Sequence, residues 1–260
     1  MSNQDDHFIE LQEILQTVDN YFDPNTANIV LEIGSRDAIE SINMKKHFKN
    51  AKIYAFECNP EAIKICEKNL LNVDEIHLEK YAVSDFNGPL SFYAIDPEKT
   101  ITSHKDGNIG ASSLFKPNPD YPYENYSVNE IKVESVTINK WANTKNIDKI
   151  DFIWVDVQGA ELKVLSGMSD YLKNVNSIYI EVEFKPIWIG QSLYVDIYEF
   201  LSKHGFKIVK VYGLNDWFGN ILFVNYQKLN FIKKIKASIC SIFFKNYLKL
   251  RSVVNSLWRS

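Results

Sequence analysis

Cysteine is scarce in this 260-residue chain. Cys58, Cys66 and Cys240 are odd in number and widely spaced, which argues against a disulfide framework or a thiolate zinc site and favours free thiols in a cytoplasmic setting. Long apolar runs are missing too: no window reaches the roughly 18 uninterrupted apolar residues of a spanning helix. The acidic first twenty residues lack the basic and apolar regions of a secretory signal. The turn after the first strand-like run reads G-S-R-D-A-I (34–39), with one glycine, where a dinucleotide site needs G-x-G-x-x-G so that backbone can approach a pyrophosphate. Internal repeats and low-complexity linkers are absent. Finally, no Asp or Glu occurs from Lys228 to Ser260.

What is present suits one sizeable core: 45% of residues are hydrophobic and 24% charged, the balance of an ordinary globular domain. The charge is split unevenly. Residues 228–260 carry eight of the 29 basic side chains, so the preceding 227 residues hold 21 bases against 33 acids, a balance of -12. This pattern predicts an acidic body with a basic appendage and no nucleic-acid partner. Within the appendage, Phe231, Ile232, Ile235, Ile239, Ile242, Phe243 and Leu250 recur near helical spacing between Lys233, Lys234, Lys236, Lys245, Lys249 and Arg251. That is the composition of an interfacial amphipathic helix at the inner membrane surface, or of a helix docked on its own domain or on a partner chain, as in a homo-oligomer.

The body alternates. Residues 7–22 predict an amphipathic helix with Phe8, Leu11, Leu15 and Val18 on one side, closed by Asp23-Pro24. I-V-L-E-I-G (29–34) predicts a buried strand followed by a helix to about His47. I-Y-A-F-E (53–57) predicts a second strand, Pro60 opens a helix to Leu70, and 76–83 predicts a third strand. Residues 149–156, 175–183, 206–212 and 221–225 complete the set. Such alternation predicts an α/β fold with a mostly parallel sheet and helices on both faces. The exception is 84–140, with a hairpin arm P-L-S-F-Y-A-I and then a polar, Pro- and Gly-rich stretch, 96–125, placed as a substrate lid would be.

In such sheets ligands bind beyond the carboxyl ends of the strands. There the chain places Glu32, Glu57, Asp85, Asp156, Glu181 and Glu183. Glu57 follows Gly34 at the spacing where an acid accepts hydrogen bonds from ribose hydroxyls, while Asp37 would repel a diphosphate. S-adenosylmethionine is a phosphate-free, cationic nucleoside and matches that pattern: Glu32, Asp37 and Asp156 face its cationic groups, and Ser35 or Arg36 its carboxylate.

The runs V-L-E-I-G-S-R-D, Y-A-F-E-C-N-P, A-V-S-D-F-N-G, A-S-S-L and D-V-Q-G-A-E-L-K-V-L-S-G resemble the FkbM family of S-adenosylmethionine-dependent methyltransferases. The resemblance spans roughly 28–225 and implies the class I methyltransferase fold, Rossmann-like, with strand order 3-2-1-4-5-7-6 and an antiparallel last strand. It implies a domain over 28–227 with an insertion at about 86–135, between an N-terminal helix (1–27) and the basic tail (228–260). It also implies O-methylation, and a cofactor site of Glu32, Gly34, Ser35, Arg36, Asp37, Glu57, Cys58, Val83, Ser84, Ser113, Asp156 and Gln158. Gln158 stands where the family commonly has glutamate, and Asn139 where aspartate is common. No metal ligands are assigned, and a divalent metal is left open.

Methyl transfer needs alignment above all, and a sugar hydroxyl needs a base as it attacks. Asp156, Glu181, Glu183 and His104 are the candidates for that base. Trp188, Gln191, Tyr194 and Trp217, after the fifth and sixth strands, are candidates for an acceptor site, since aromatic faces suit sugar rings. The expected activity is O-methylation of a carbohydrate or glycosylated precursor. The alternatives are a lipid or small natural product as acceptor, or a non-catalytic subunit of a glycan-assembly complex.

Overall fold

The computed structural model describes residues 3–257, with side chains described for 10–249, so the side chains of His7, Phe8, Leu250 and Arg251 lie outside the described residues. In chain order the elements are α1 (Asn3–Asp19), β1 (Ile29–Ile33), α2 (Ile39–His47), β2 (Lys52–Phe56), α3 (Pro60–Leu70), β3 (Ile76–Glu79), β4 (Ala82–Val83) and β5 (Gly88–Ile95). Then come β6 (Val128–Val136), α4 (Ile138–Thr144), β7 (Phe152–Val155), α5 (Glu161–Ser166), β8 (Ser177–Glu183), α6 (Tyr194–Lys203), β9 (Phe206–Tyr212), β10 (Phe218–Asn225) and α7 (Phe231–Leu257).

Seven strands form the central sheet in the order β3-β2-β1-β7-β8-β10-β9. Numbered within that sheet alone, this is 3-2-1-4-5-7-6, and β10 runs antiparallel to both neighbours. The fold is therefore the class I methyltransferase architecture. Side chains alternate across each strand, so Leu31, Ile33, Ile153, Val155, Ile178 and Ile180 pack under α4, α5 and α6 with Trp141, Leu165 and Leu201. Val30, Phe152, Trp154 and Tyr179 face the other way, onto Leu11, Leu15 and Val18 of α1, and onto Met44 and Phe48. Buried Asp151 joins two strand starts: it accepts the N–H groups of Asn28 and Ile29 and pairs with Lys149.

Three expectations need correction. The third strand, expected to run 76–83, breaks after Glu79, and β4 joins a second sheet, β4-β6-β5. The long segment after it is less irregular than its composition predicts. β5 and β6 pair antiparallel from Gly88↔Ser135 to Ile95↔Val128, and their apolar face (Phe92, Val133) forms a small cluster with Ala82 of β4 against Cys58. Sequence patterning misses β6 because polar residues alternate through V-N-E-I-K-V-E-S-V, leaving only one face to bury. Between these strands the loop 96–127 is pinned by paired backbone bonds between Ile101 and Asn125 and by Thr100 Oγ1 donating to the Ser127 carbonyl. α1 also stops at Asp19, earlier than expected, because the chain turns there: Tyr21 N–H bonds back to the Val18 carbonyl.

Candidate active site

A cavity of about 480 Å³ lies where β1, β2, β7 and β8 end, under the loop of the second sheet, within the roughly 300–1,000 Å³ usual for small-molecule sites. Its floor is set by a close crossing. Gly34 ends β1 at φ +90, and a Cβ there would stand 1.7 Å from the Asp156 carbonyl oxygen. Only glycine allows β1 to pass so near the tip of β7. The N–H groups of Gly34 and Ser35 both bond to the Phe56 carbonyl, closing the first loop onto β2.

At the β2 tip, Glu57 accepts the N–H groups of Arg36 (2.8 Å), Cys58 (2.8 Å) and Asn59 (2.7 Å). Burial pushes its carboxyl above the usual carboxylate range, opposed by those three donors. Oε2 takes one donor and Oε1 two, so Oε2 keeps acceptor capacity toward the cavity. Asn59 then caps α3 by accepting Glu61 N–H, ahead of Pro60. Ile33, Phe56, Ala62, Val83, Phe92 and Leu114 supply an apolar wall beside these polar groups.

The deepest part is a group of acids at the tips of β7 and β8. Asp156, Glu161 and Glu181 have carboxylate oxygens within 4.8 Å of one another. The Gln158 amide bridges two of them, donating to Asp156 Oδ1 at 2.7 Å and Glu181 Oε2 at 3.0 Å. Gln158 sits at φ +54 and Gly159 at φ +93. This turn is held by Glu161, whose Oε1 accepts the N–H groups of Val157 and Gly159. Glu161 is thus a turn-fixing residue. Burial raises the carboxyls of these three acids and of neighbouring Glu183. Asp156 is opposed chiefly by the Gln158 amide, Glu161 is pushed up to about 7, and Glu181 rises well above the usual range with Asp156, Glu183 and Glu161 adding to the burial effect. Glu183 rises likewise, from burial and the charges of Glu161 and Asp156. Like charges this close cannot all ionise in a low-dielectric site. Within the trio, Glu161 Oε1 serves two backbone donors and Gln158 ties the other two acids together, while Glu161 Oε2 is buried without a hydrogen-bond partner.

The opposite wall comes from the loop between β5 and β6. Tyr121, Tyr123, Tyr126, Ser103, His104 and Glu124 line it. Glu124 organises it, accepting from Asn108 Nδ2 at 2.9 Å and from the Thr102 and Tyr126 hydroxyls, with His104 Nε2 at 3.7 Å. Arg36 reaches across from the first loop to Asp106 at 2.6 Å, linking inner and outer walls.

Of the residues expected at the site, the cavity is lined by Gly34, Arg36, Glu57, Cys58, Val83, His104, Asp156, Gln158 and Glu181. The others stand elsewhere. Glu32 shares the strand face of Val30, so it points beneath α2 and accepts from Ser41 N–H at 3.1 Å and from the Ser41 hydroxyl. Ser35 is fully buried, Asp37 accepts Ile39 N–H at the start of α2, and Ser84 donates to Asp85. Ser113 donates to the Gln158 carbonyl, which braces the Gln158 turn from behind. Glu183 is buried at the end of β8, 1% exposed.

The acceptor-site candidates are displaced by one layer. Trp188 is fully buried, stacked on Tyr126 at 5.3 Å, and Trp217 meets Tyr121 edge-on at 5.0 Å. The tryptophans therefore back the tyrosines that face the cavity. Gln191 Oε1 accepts Ile187 and Trp188 N–H groups within its own turn, and Tyr194 packs on Phe184 and Tyr198. The tyrosine wall was missed, although Y-P-Y-E-N-Y (121–126) places three tyrosines in six residues of an otherwise polar stretch.

Residues 28–208 match the family model described as the methyltransferase FkbM domain. Among curated proteins, the chain is 28% identical over 165 residues to the 2-O-methyltransferase NoeI of Sinorhizobium fredii, covering 63% of this chain and 66% of NoeI. It is 23% identical over 133 residues to the hexuronic acid methyltransferase AglP of Haloferax volcanii, covering 51% of this chain and 47% of AglP. The matched region thus spans just under two thirds of NoeI and about half of AglP. Among solved structures, TrmK of M. capricolum with bound S-adenosylhomocysteine is 13% identical, covering 95% of this chain and 86% of TrmK, with a TM-score of 0.45.

Proposed function

The chain belongs to the FkbM methyltransferase family, and from that premise we propose that it is an S-adenosylmethionine-dependent O-methyltransferase acting on a carbohydrate or glycosylated precursor. The observation that carries this reading is a cavity with acids on its inner wall and tyrosines on its outer wall. Glu57, Asp156 and Glu181 repel phosphate and suit a cationic nucleoside, and the apolar wall of Phe56, Ala62 and Val83 suits a purine. Gly34, Glu57 and Asn59 would hold the nucleoside part and Asp156 the cationic end. When bound, S-adenosylmethionine supplies a methyl group on positively charged sulfur.

The chain's own residues supply the rest. Of the pair bridged by Gln158, Glu181 is raised well above the usual carboxylate range by burial and then by Asp156, while hydrogen bonds from Gln158 and Glu181 oppose the rise at Asp156, so Asp156 is the member that gives up its proton more readily. Asp156 is then the group able to accept the proton of an acceptor hydroxyl. Gln158 fixes its orientation, and Ser113 and Glu161 fix the turn that carries Gln158. On the outer wall the Tyr121 and Tyr123 rings offer faces for a sugar ring, with Glu124, Ser103 and His104 as hydrogen-bonding groups at its edge. The relatives named as a 2-O-methyltransferase and as a hexuronic acid methyltransferase support an O-methylation of this kind.

Calorimetric titration with S-adenosylmethionine tests the first half, with saturable one-to-one heat expected. Mass spectrometry of glycans and sugar nucleotides from cells with and without the protein tests the second, with one species gaining the mass of a single methyl group. Absent heat sinks the cofactor assignment. Heat without any methylated sugar moves the acceptor to another class.

A further inference from the structure

α7 is amphipathic twice over. One face docks on the domain: Ala237 and Leu248 are buried, Cys240 and Phe244 pack beside them, and Lys207 of β9 donates to Ser238. At about 100° per residue, Ile232, Ile235, Ile239, Ile242 and Phe243 fall on the opposite side. They are exposed there, Ile239 and Ile242 by 64% each. Seven of the sixteen exposed large apolar side chains among the described residues lie on this one helix, while the rest are scattered over the domain. A contiguous apolar stripe on an otherwise ordinary surface marks a contact site.

The flanks of the stripe indicate what it meets. Lys234 and Lys245 fall to one side, Lys233 and Lys236 to the other. The partners they take are uncharged: Lys233 donates to the Tyr21 carbonyl and Lys236 to the Asn20 amide oxygen, while Lys234 and Lys245 lie over the Tyr226 and Tyr198 rings. No acid occurs in 228–260. A second copy would bring like-charged lysine rows together, which costs energy, whereas an anionic surface completes them. The helix spans 27 residues, about 40 Å, yet no helix among the described residues is long and apolar enough to cross a membrane.

We propose that α7 is a peripheral anchor that lies flat on an anionic lipid surface, with the isoleucine stripe in the headgroup–acyl boundary and the lysines reaching lipid phosphates on both sides. The domain is carried on the opposite face of the same helix, so the membrane contact and the sheet contact do not compete.

Flotation of the full chain with vesicles of about three parts phosphatidylcholine to one part phosphatidylglycerol tests this. Binding to these vesicles, at least about tenfold weaker to phosphatidylcholine alone and lowered by salt, is expected. Ile239→Asp with Ile242→Asp, and separately Lys234→Glu with Lys245→Glu, should each weaken it by about tenfold or more. Cofactor binding and circular dichroism should stay unchanged. In a Phe243→Trp chain, brominated acyl chains should quench fluorescence beyond that of the unsubstituted protein, a readout that does not depend on the charged variants folding. No flotation with anionic vesicles, undiminished flotation of the Ile239→Asp, Ile242→Asp chain, or a dimer in solution that this variant turns into a monomer would each overturn the proposal, the last in favour of a second copy as the occupant.

Discussion

The two walls of the cavity are built by different means. The inner wall stands on the tips of four adjacent strands, and its acids are fixed by the sheet register and by short-range bonds such as Glu57 to Arg36, Cys58 and Asn59. The outer wall hangs on a loop of more than thirty residues between β5 and β6, pinned through contacts distant in sequence, such as Thr100 to Ser127 and Asn108 to Glu124. The first rests directly on the sheet, whereas the second belongs to a loop carried by that scaffold, the kind of segment that usually varies. Substitutions on the inner wall should therefore damage chemistry and folding, and those on the outer wall the choice of acceptor.

The largest expected effect is Asp156→Asn, which should lower kcat by about 10²–10⁴ in single-turnover assays with thermal stability maintained. A rate near that of the unsubstituted enzyme would remove the base from the inner wall. Next is Gly34→Ala. Its Cβ would collide with the Asp156 carbonyl at a backbone conformation that L-residues rarely adopt, so a loss of roughly 3 kcal/mol or more in denaturant unfolding, with cofactor binding abolished, is expected.

Third is the pH dependence of stability through Glu161. Its folded carboxyl is raised to about 7, first by burial and also by the charge of Asp156. Between the ordinary glutamate range and about pH 7 the folded chain therefore keeps a proton that the unfolded chain has released. Stability falls as pH rises through that window. Glu161→Gln should flatten the decline and leave the protein more stable by about 2–3 kcal/mol above it, as read from urea unfolding at several pH values. An unchanged slope would mean that Glu161 is not buried with its proton. The smallest effect is Tyr123→Ala on the outer wall. A three- to tenfold rise in the acceptor's KM is expected from the loss of one aromatic face, with cofactor affinity unaltered. A fall in cofactor affinity instead would merge the two walls into one site.

The inner wall was legible because strand tips and glycines are local signals. The run ending at Asp156, the glycine at 34 and the acid at 57 could each be placed from the buried strand beside them. Glu32 was misplaced for a reason of parity. It lies one residue before the tip, so the pleat turns it beneath α2, and the direction of a strand-end side chain depends on its register as well as its position. The outer wall was hidden because β6 has a polar face and its partner β5 begins forty residues earlier. Aromatic rings were sought at Trp188 and Trp217, but the layer that faces the cavity comes from Tyr121 and Tyr123, brought in from another part of the chain.

By itself the sequence determined the alternation of strands and helices, the strand order through its resemblance to one family, the phosphate-free first loop and the acid-free tail. Periodicity, glycine conformation and charge are properties of neighbouring residues and survive without the fold. The tertiary structure decided which acids crowd together, which aromatic rings meet the cavity, and which face of the last helix is left uncovered. Each of these depends on distances between residues far apart in the chain, and burial and Coulomb interaction act through distance in space.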